Sequence, residues 1–157
     1  MDNRTSSLNL NKYDWNRLNP LQLGRYAEYF SKMEFTLLHF DVYTTEVDDK
    51  GIDFVVRKDE NKYFDVQVKS ISGLNYIFFP EAKFKPRNNL LASVVVFING
   101  EPPRLYLIPS TAWLNPNSLL KYRKYEKPEW GINLSKKNLP LLAEFAFDLS
   151  VQKIINE

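Results

Sequence analysis

The chain of 157 residues contains no cysteine. That excludes disulfides, thiolate nucleophiles, cysteine zinc sites and iron–sulfur clusters. A single histidine, His39, excludes metal sites built from several imidazoles and leaves a Ser-His-Asp arrangement one possible base; we read it as structural. Five glycines are present, none in a G-x-G-x-x-G or G-K-[ST] setting, so neither a phosphate-cradling loop nor a nucleotide cofactor is expected. Long apolar runs are missing as well. The longest, Leu90 to Ile98, is interrupted by Ser93 and falls far short of the ~20 residues that span a bilayer. Met1 to Asn16 is polar and lacks an apolar signal core, which makes the cytoplasm the expected location, with no membrane partner.

Charge has little overall bias, with 21 basic against 19 acidic residues. Its distribution is uneven. Residues 1–80 hold 10 basic and 12 acidic side chains, whereas residues 81–157 hold 11 and 7. A basic second half would offset phosphate repulsion, although an ordinary solvated surface accounts for it equally well on charge alone. At 44% hydrophobic residues, a chain of this length suits one domain with a core of its own.

Met1 to Asn19, rich in asparagine, serine and charge, reads as an N-terminal arm with Tyr13 and Trp15 as anchors, which leaves residues 20–157 as a single domain. Asn19-Pro20 is a helix start, and Leu23, Tyr26, Ala27, Phe30, Met33, Leu37 and Leu38 recur at helical spacing to about Leu38. Three strands are expected next: Phe40 to Thr45, Ile52 to Arg57, and Tyr63 to Ser70. Their short polar connections, Glu46 to Gly51 and Lys58 to Asn61, predict an antiparallel meander. Tyr76 to Phe79 is a further strand, and Ala92 to Ile98 pairs with Arg104 to Ile108 across a proline turn. Pro109-Ser110 opens a short helix around Thr111 to Leu114. Lys121 to Pro128 reads as a basic, aromatic loop, and Leu139 to Ile155 as a helix with Leu142, Phe145, Leu149 and Ile154 on its apolar side.

The chemistry concentrates around the third strand. Phe64, Val66 and Val68 point one way and Asp65, Gln67 and Lys69 the other, because strand side chains alternate. If the segment from Gly51 to Val56 lies alongside, ~4.8 Å away, Asp53 comes near Gln67 and Lys69. A carboxylate, an amide oxygen and an ammonium then share one small volume, with Glu28 upstream on the helix. Such a set suits phosphodiester hydrolysis, where catalysis must lower the barrier by on the order of 20 kcal/mol. A divalent ion neutralises the phosphate and acidifies a water. Mg²⁺ takes oxygen ligands, which Asp53, the Gln67 side chain and the Val68 carbonyl would supply. Lys69 would hold the attacking water or help deprotonate it. Two unit charges 4 Å apart interact by only ~4 kcal/mol at an effective dielectric near 20, so the metal would carry most of the rate.

The ordered set Glu28, Gly51-Ile52-Asp53 and Gln67-Val68-Lys69-Ser70 resembles the PD-(D/E)XK nuclease superfamily over roughly Leu21 to Ile71. Within it, the chain is most similar to a bacterial Gln-x-Lys branch and, more distantly, to archaeal Holliday-junction resolvases. Leu105 to Ser110 is a weaker echo. The resemblance implies an α/β, restriction-endonuclease-like fold with a central mixed sheet of four to five strands flanked by helices. It implies metal binding by Asp53 and Gln67, catalysis by Lys69, and a metal-supporting or water-positioning role for Glu28. It also implies Mg²⁺ with Mn²⁺ as substitute, DNA as partner, and a homodimer by analogy with junction resolvases. One departure is Gln67, where the superfamily usually has a carboxylate: an oxygen ligand stays but a charge is lost. This supports an alternative, a catalytically degenerate nuclease-fold module that binds nucleic acid or a protein partner; a scaffold subunit is a third reading. Lys83, Lys85 and Arg87, with Phe84 between, are candidate phosphate contacts, as are Lys121, Arg123, Lys124 and Lys127. Plainer readings stand beside these: Gln67 and Lys69 as a solvated strand face, Glu28 as a partner of Lys32, and Asp65 as a bystander.

Overall fold

Asn19 and Gln22 cap each other's backbone. Asn19 Oδ1 accepts the Gln22 N–H and Gln22 Oε1 accepts the Asn19 N–H, each at 2.9 Å. With Pro20 in the first turn, this reciprocal pair starts α1, Pro20–Leu37, at the expected residue. The computed structural model describes residues 11–47 and 49–157. Residues 1–10 of the expected arm, and Asp48 of the acidic turn, lie outside the described residues. Trp15, in a short 3-10 turn at Trp15–Arg17, is buried and donates its indole N–H to the Glu101 carbonyl at 2.8 Å.

The buried face of α1 is Leu23, Ala27, Ser31 and Phe35, a row of four-residue steps. Met33 and Leu37, expected on the apolar stripe, are instead 55% and 70% exposed. At about 100° per residue they lie well round the helix from that row. Ser31 Oγ meets Ser93 Oγ at 2.7 Å in the buried seam, so a small polar residue brings the helix close to the sheet. The helix stops in a Schellman arrangement. The Phe40 N–H donates to the Phe35 carbonyl and the His39 N–H to the Thr36 carbonyl, with His39 left-handed at φ 66°. His39 is exposed, and its part in the structure is this backbone turn.

The main sheet has five strands in the order β1 (Asp41–Thr44), β2 (Phe54–Arg57), β3 (Tyr63–Ser72), β5 (Leu90–Phe97) and β6 (Arg104–Pro109). The first three form the expected antiparallel meander, β3 runs parallel to β5, and β6 returns antiparallel. All eight residues of β5 are buried, as befits a central strand covered on both faces. The strand between β3 and β5 in sequence, β4 (Tyr76–Pro80), leaves this sheet. It joins a second one, ordered β4, β8 (Glu129–Asn133) and β7 (Leu120–Arg123), antiparallel throughout. This second sheet corrects the expectation that Lys121 to Pro128 is all loop. Lys121 and Arg123 turn outward while Leu120 packs inward, which makes the segment polar on one face only.

The two faces of the main sheet have different cover. On one, α1 and α3 (Phe147–Asn156) bury Phe35, Phe54, Val66, Leu107 and Val151. On the other, the second sheet lays Phe79, Leu120, Trp130 and Ile132 over Ile71, Ala92, Val94 and Ile108. The expected C-terminal helix is broken into α2 (Leu139–Ala143) and α3. Between them the Leu107 N–H donates to the Phe145 carbonyl at 2.8 Å and Ala146 bridges to Tyr106, so the chain covers the β6 edge before resuming the helix. Leu149, expected on the apolar side, is 56% exposed. Among the described residues no helix is long and apolar enough to cross a membrane.

Candidate active site

The site begins where β2 stops and β3 continues. Phe54 is the last β2 residue paired with β3, opposite Val66, yet β3 runs on to Ser72. From there the β2 side of β3 has lost its strand partner, and backbone groups left unpaired in a part-buried position are costly. Asp53 fills the place. Continuing the register puts it opposite Gln67; its N–H donates to the Val66 carbonyl at 2.9 Å, and its Oδ2 accepts the Val68 N–H at 2.7 Å. A residue's N–H and C=O leave an extended strand on the same side, so the Val68 carbonyl faces this same corner.

The loop behind Asp53 is tightly specified. Thr45 Oγ1 lies 3.0 Å from the Ile52 carbonyl and 3.1 Å from that of Asp53. Gly51 has φ 77°, and a Cβ there would meet the Lys83 carbonyl at 2.8 Å. Only glycine accepts both the left-handed backbone and that approach. Thr45 and the Lys83 backbone are supports that sequence reading missed, and nothing in their residue types signals the role. Gly51, two residues before the carboxylate, does carry a signal.

Gln67 and Lys69 share the face of β3 that also carries Ile71, and they look toward the second sheet. Gln67 is 8% exposed, and its Oε1 is buried with no hydrogen-bond partner among the described residues. It points at the corner of Gly51, 3.3 Å from where a Cβ would stand. Lys69 is half-buried, with Nζ 5.6 Å from the centre of the Phe79 ring. Burial holds its ammonium below the usual lysine pKa, and the nearby Asp53 carboxylate pulls partly the other way. Lys69 opens on a shallow groove of about 440 Å³ between Gly24 of α1, Val68 to Ser70 of β3 and Tyr76 to Phe78 of β4.

The structure thus brings together Asp53, Gln67, Val68 and Lys69. Glu28 belongs to the helix-covered side, one turn beyond Gly24. Its carboxylate bonds to Lys32 at 2.9 Å and lies 3.7 Å from Arg25. Of the candidate phosphate contacts, Lys83 meets the site where its carbonyl and Cβ approach Gly51. Arg87 is paired with Asp65 at 2.7 Å, which gives that carboxylate a partner of its own. Lys85 borders a separate depression with Glu81 and Glu126.

Asp53, the Gln67 amide and the Val68 carbonyl are all oxygen donors, the set that Mg²⁺ or Mn²⁺ takes. The unsatisfied Gln67 oxygen beside the carboxylate fits such a cation, since a buried acceptor without a partner is otherwise unfavourable. Among the described residues, no three His, Cys, Asp or Glu side chains gather into a group that could hold a metal ion. Comparison of the chain with protein-family models and with curated proteins gives no match.

Proposed function

We propose that the protein is a Mg²⁺-dependent nuclease that hydrolyses DNA phosphodiester bonds, with Asp53, Gln67 and Lys69 as its working groups. The observation that carries this reading is the seating of the Asp53 carboxylate over β3, opposite Gln67 and within electrostatic reach of a half-buried Lys69. The mixed five-stranded sheet with α1 against it supports a restriction-endonuclease-like architecture. Asp53, Gln67 and the Val68 carbonyl would hold the cation, which when bound neutralises phosphate charge and acidifies a water. Lys69 does the rest at the groove. Its ammonium donates to a phosphoryl oxygen or to the attacking water, and its lowered pKa lets it exchange a proton more readily than a surface lysine. Glu28, bonded to Lys32 and 3.7 Å from Arg25, would support the metal or position its water.

Incubation with plasmid, linear, branched and single-stranded DNA in Mg²⁺ or Mn²⁺ tests the reading. Cleavage by the wild type and none by Asp53→Ala or Lys69→Met is the expected result. Equal cleavage by all three rejects these roles. The alternative of a degenerate module draws on the neutral Gln67 and on a Glu28 already balanced by two cations. It expects no Asp53-dependent Mn²⁺ binding in a calorimetric titration.

A further inference from the structure

The second sheet covers the core with one face and leaves the other open. On the open face, Phe78, Gly131 and Lys121 stand in one row across the three strands, and Arg123 stands opposite Glu129 in the next. Gly131 has no side chain, and the Tyr76 ring lies directly over it; a Cβ there would fall 2.1 Å from the Tyr76 hydroxyl. That hydroxyl donates to Glu129, which ties the ring down. The Arg123 guanidinium then sits 4.1 Å from the centre of the same ring and donates to the Tyr125 hydroxyl at 3.1 Å. Phe78 lies beside Tyr76, 6.4 Å between centroids and within 25° of parallel, and is 46% exposed. The result is a pre-positioned surface on which the Phe78 ring is bare and the Arg123 guanidinium plane is stacked.

We infer that this face is a docking platform for single-stranded DNA, with bases stacking on Phe78 and Arg123 and the strand continuing into the groove at Lys69. The inference rests on the nuclease reading, and it names the form of substrate. Three observations support the occupant. Charge is complementary: the face presents Lys121 and Arg123, and Lys124 and Lys127 follow against one exposed acid, Glu126. The acid on the face itself, Glu129, is 8% exposed and bonded to Tyr76, so it offers a phosphate little repulsion. The platform is continuous with the candidate active site, because Tyr76 and Phe78 also line the groove that holds Lys69. A duplex keeps its base faces inside the stack, whereas an unpaired strand offers them to aromatic rings and guanidinium planes.

Fluorescence anisotropy with labelled oligothymidylate and with a duplex, in EDTA and using the full chain, tests this. We expect the single strand to bind at least ~10-fold more tightly than the duplex, and Phe78→Ala or Arg123→Ala to weaken it by ~10-fold or more. Phe78→Trp, which restores a ring, should bind at least as well as wild type. Thermal melts identify any variant that fails to fold; for these the Phe78→Trp comparison decides. Equal affinity for duplex and single strand, indifference to Phe78→Ala, or no DNA binding at all would overturn the proposal. So would tighter binding of oligouridylate, which would make RNA the occupant. Stacking-dependent binding without any Mg²⁺-dependent cleavage would retire the nuclease reading alone. Asp53-dependent cleavage that ignores Phe78→Ala would retire the platform alone.

Discussion

The Asp53 carboxylate stands where a strand would: its Oδ2 takes the Val68 N–H at 2.7 Å, two residues beyond the last β2–β3 pair. The same group therefore serves the fold and the proposed chemistry, and two substitutions separate these roles. Asp53→Ala leaves the part-buried N–H without an acceptor and should cost about 1–3 kcal/mol in urea unfolding. Asp53→Asn keeps a side-chain oxygen for that bond and should cost less. Both should lose Mn²⁺ binding and cleavage, because an amide gives neither the charge nor a second acceptor oxygen. Full cleavage by Asp53→Asn would contradict the assignment.

Lys69 should work against stability. Burial is the larger influence on its pKa and Asp53 the smaller, so the folded state disfavours the ammonium relative to the unfolded chain. The sign follows from proton linkage. The unfolded chain binds this proton more tightly, so as pH falls from the unfolded pKa of 10.5 through the lower folded value the folded state loses stability. Lys69→Met should accordingly melt higher than wild type at neutral pH, while losing ~10²–10⁴-fold in cleavage. The gap in melting temperature should narrow as pH rises toward 10.5. A lower melting temperature for the variant would show that the attraction of Asp53 outweighs burial.

Gln67 is the residue at which chemistry and burial conflict most. Gln67→Glu would add a second carboxylate opposite Asp53 at a position only 8% exposed. Two nearby carboxylates repel unless a cation lies between them. The variant should therefore melt lower than wild type in EDTA, recover in Mn²⁺, and bind Mn²⁺ at least several-fold more tightly. Melting curves with and without Mn²⁺ check this, and a loss that Mn²⁺ fails to reverse would count against Gln67 as a ligand.

What local chemistry determines was legible in the sequence. The Asn19-Pro20 helix start, the meander and the shared face of Gln67 and Lys69 all follow from spacings within a few residues. What was hidden depends on distant partners. Glu129–Asn133 becomes a strand because β4, some fifty residues earlier, and β7 pair with it; its glycine and asparagine are poor strand formers by themselves. No proline or glycine marks the break at Ala146, which comes from the bridge to Tyr106. Arg87 resembled an available phosphate ligand until the fold brought Asp65 to it.

Gly51 offers a test of whether the loop positions the carboxylate. Alanine there meets two obstacles, the left-handed φ of 77° and the Lys83 carbonyl 2.8 Å from the new Cβ. Gly100 has a similar φ of 84° but nothing within 4 Å of a Cβ, so Gly100→Ala isolates the backbone strain. That strain alone should cost about 1–2 kcal/mol, and Gly51→Ala should exceed it because a backbone carbonyl cannot swing aside as a side-chain tip can. The excess displacement falls on Ile52 and Asp53. Gly51→Ala should therefore also weaken Mn²⁺ binding and slow cleavage, while Gly100→Ala leaves both at the wild-type level. Urea unfolding and Mn²⁺ titration of the two variants check the difference. Equal losses in both would mean that close packing against Lys83 has no part in holding Asp53 over Val68.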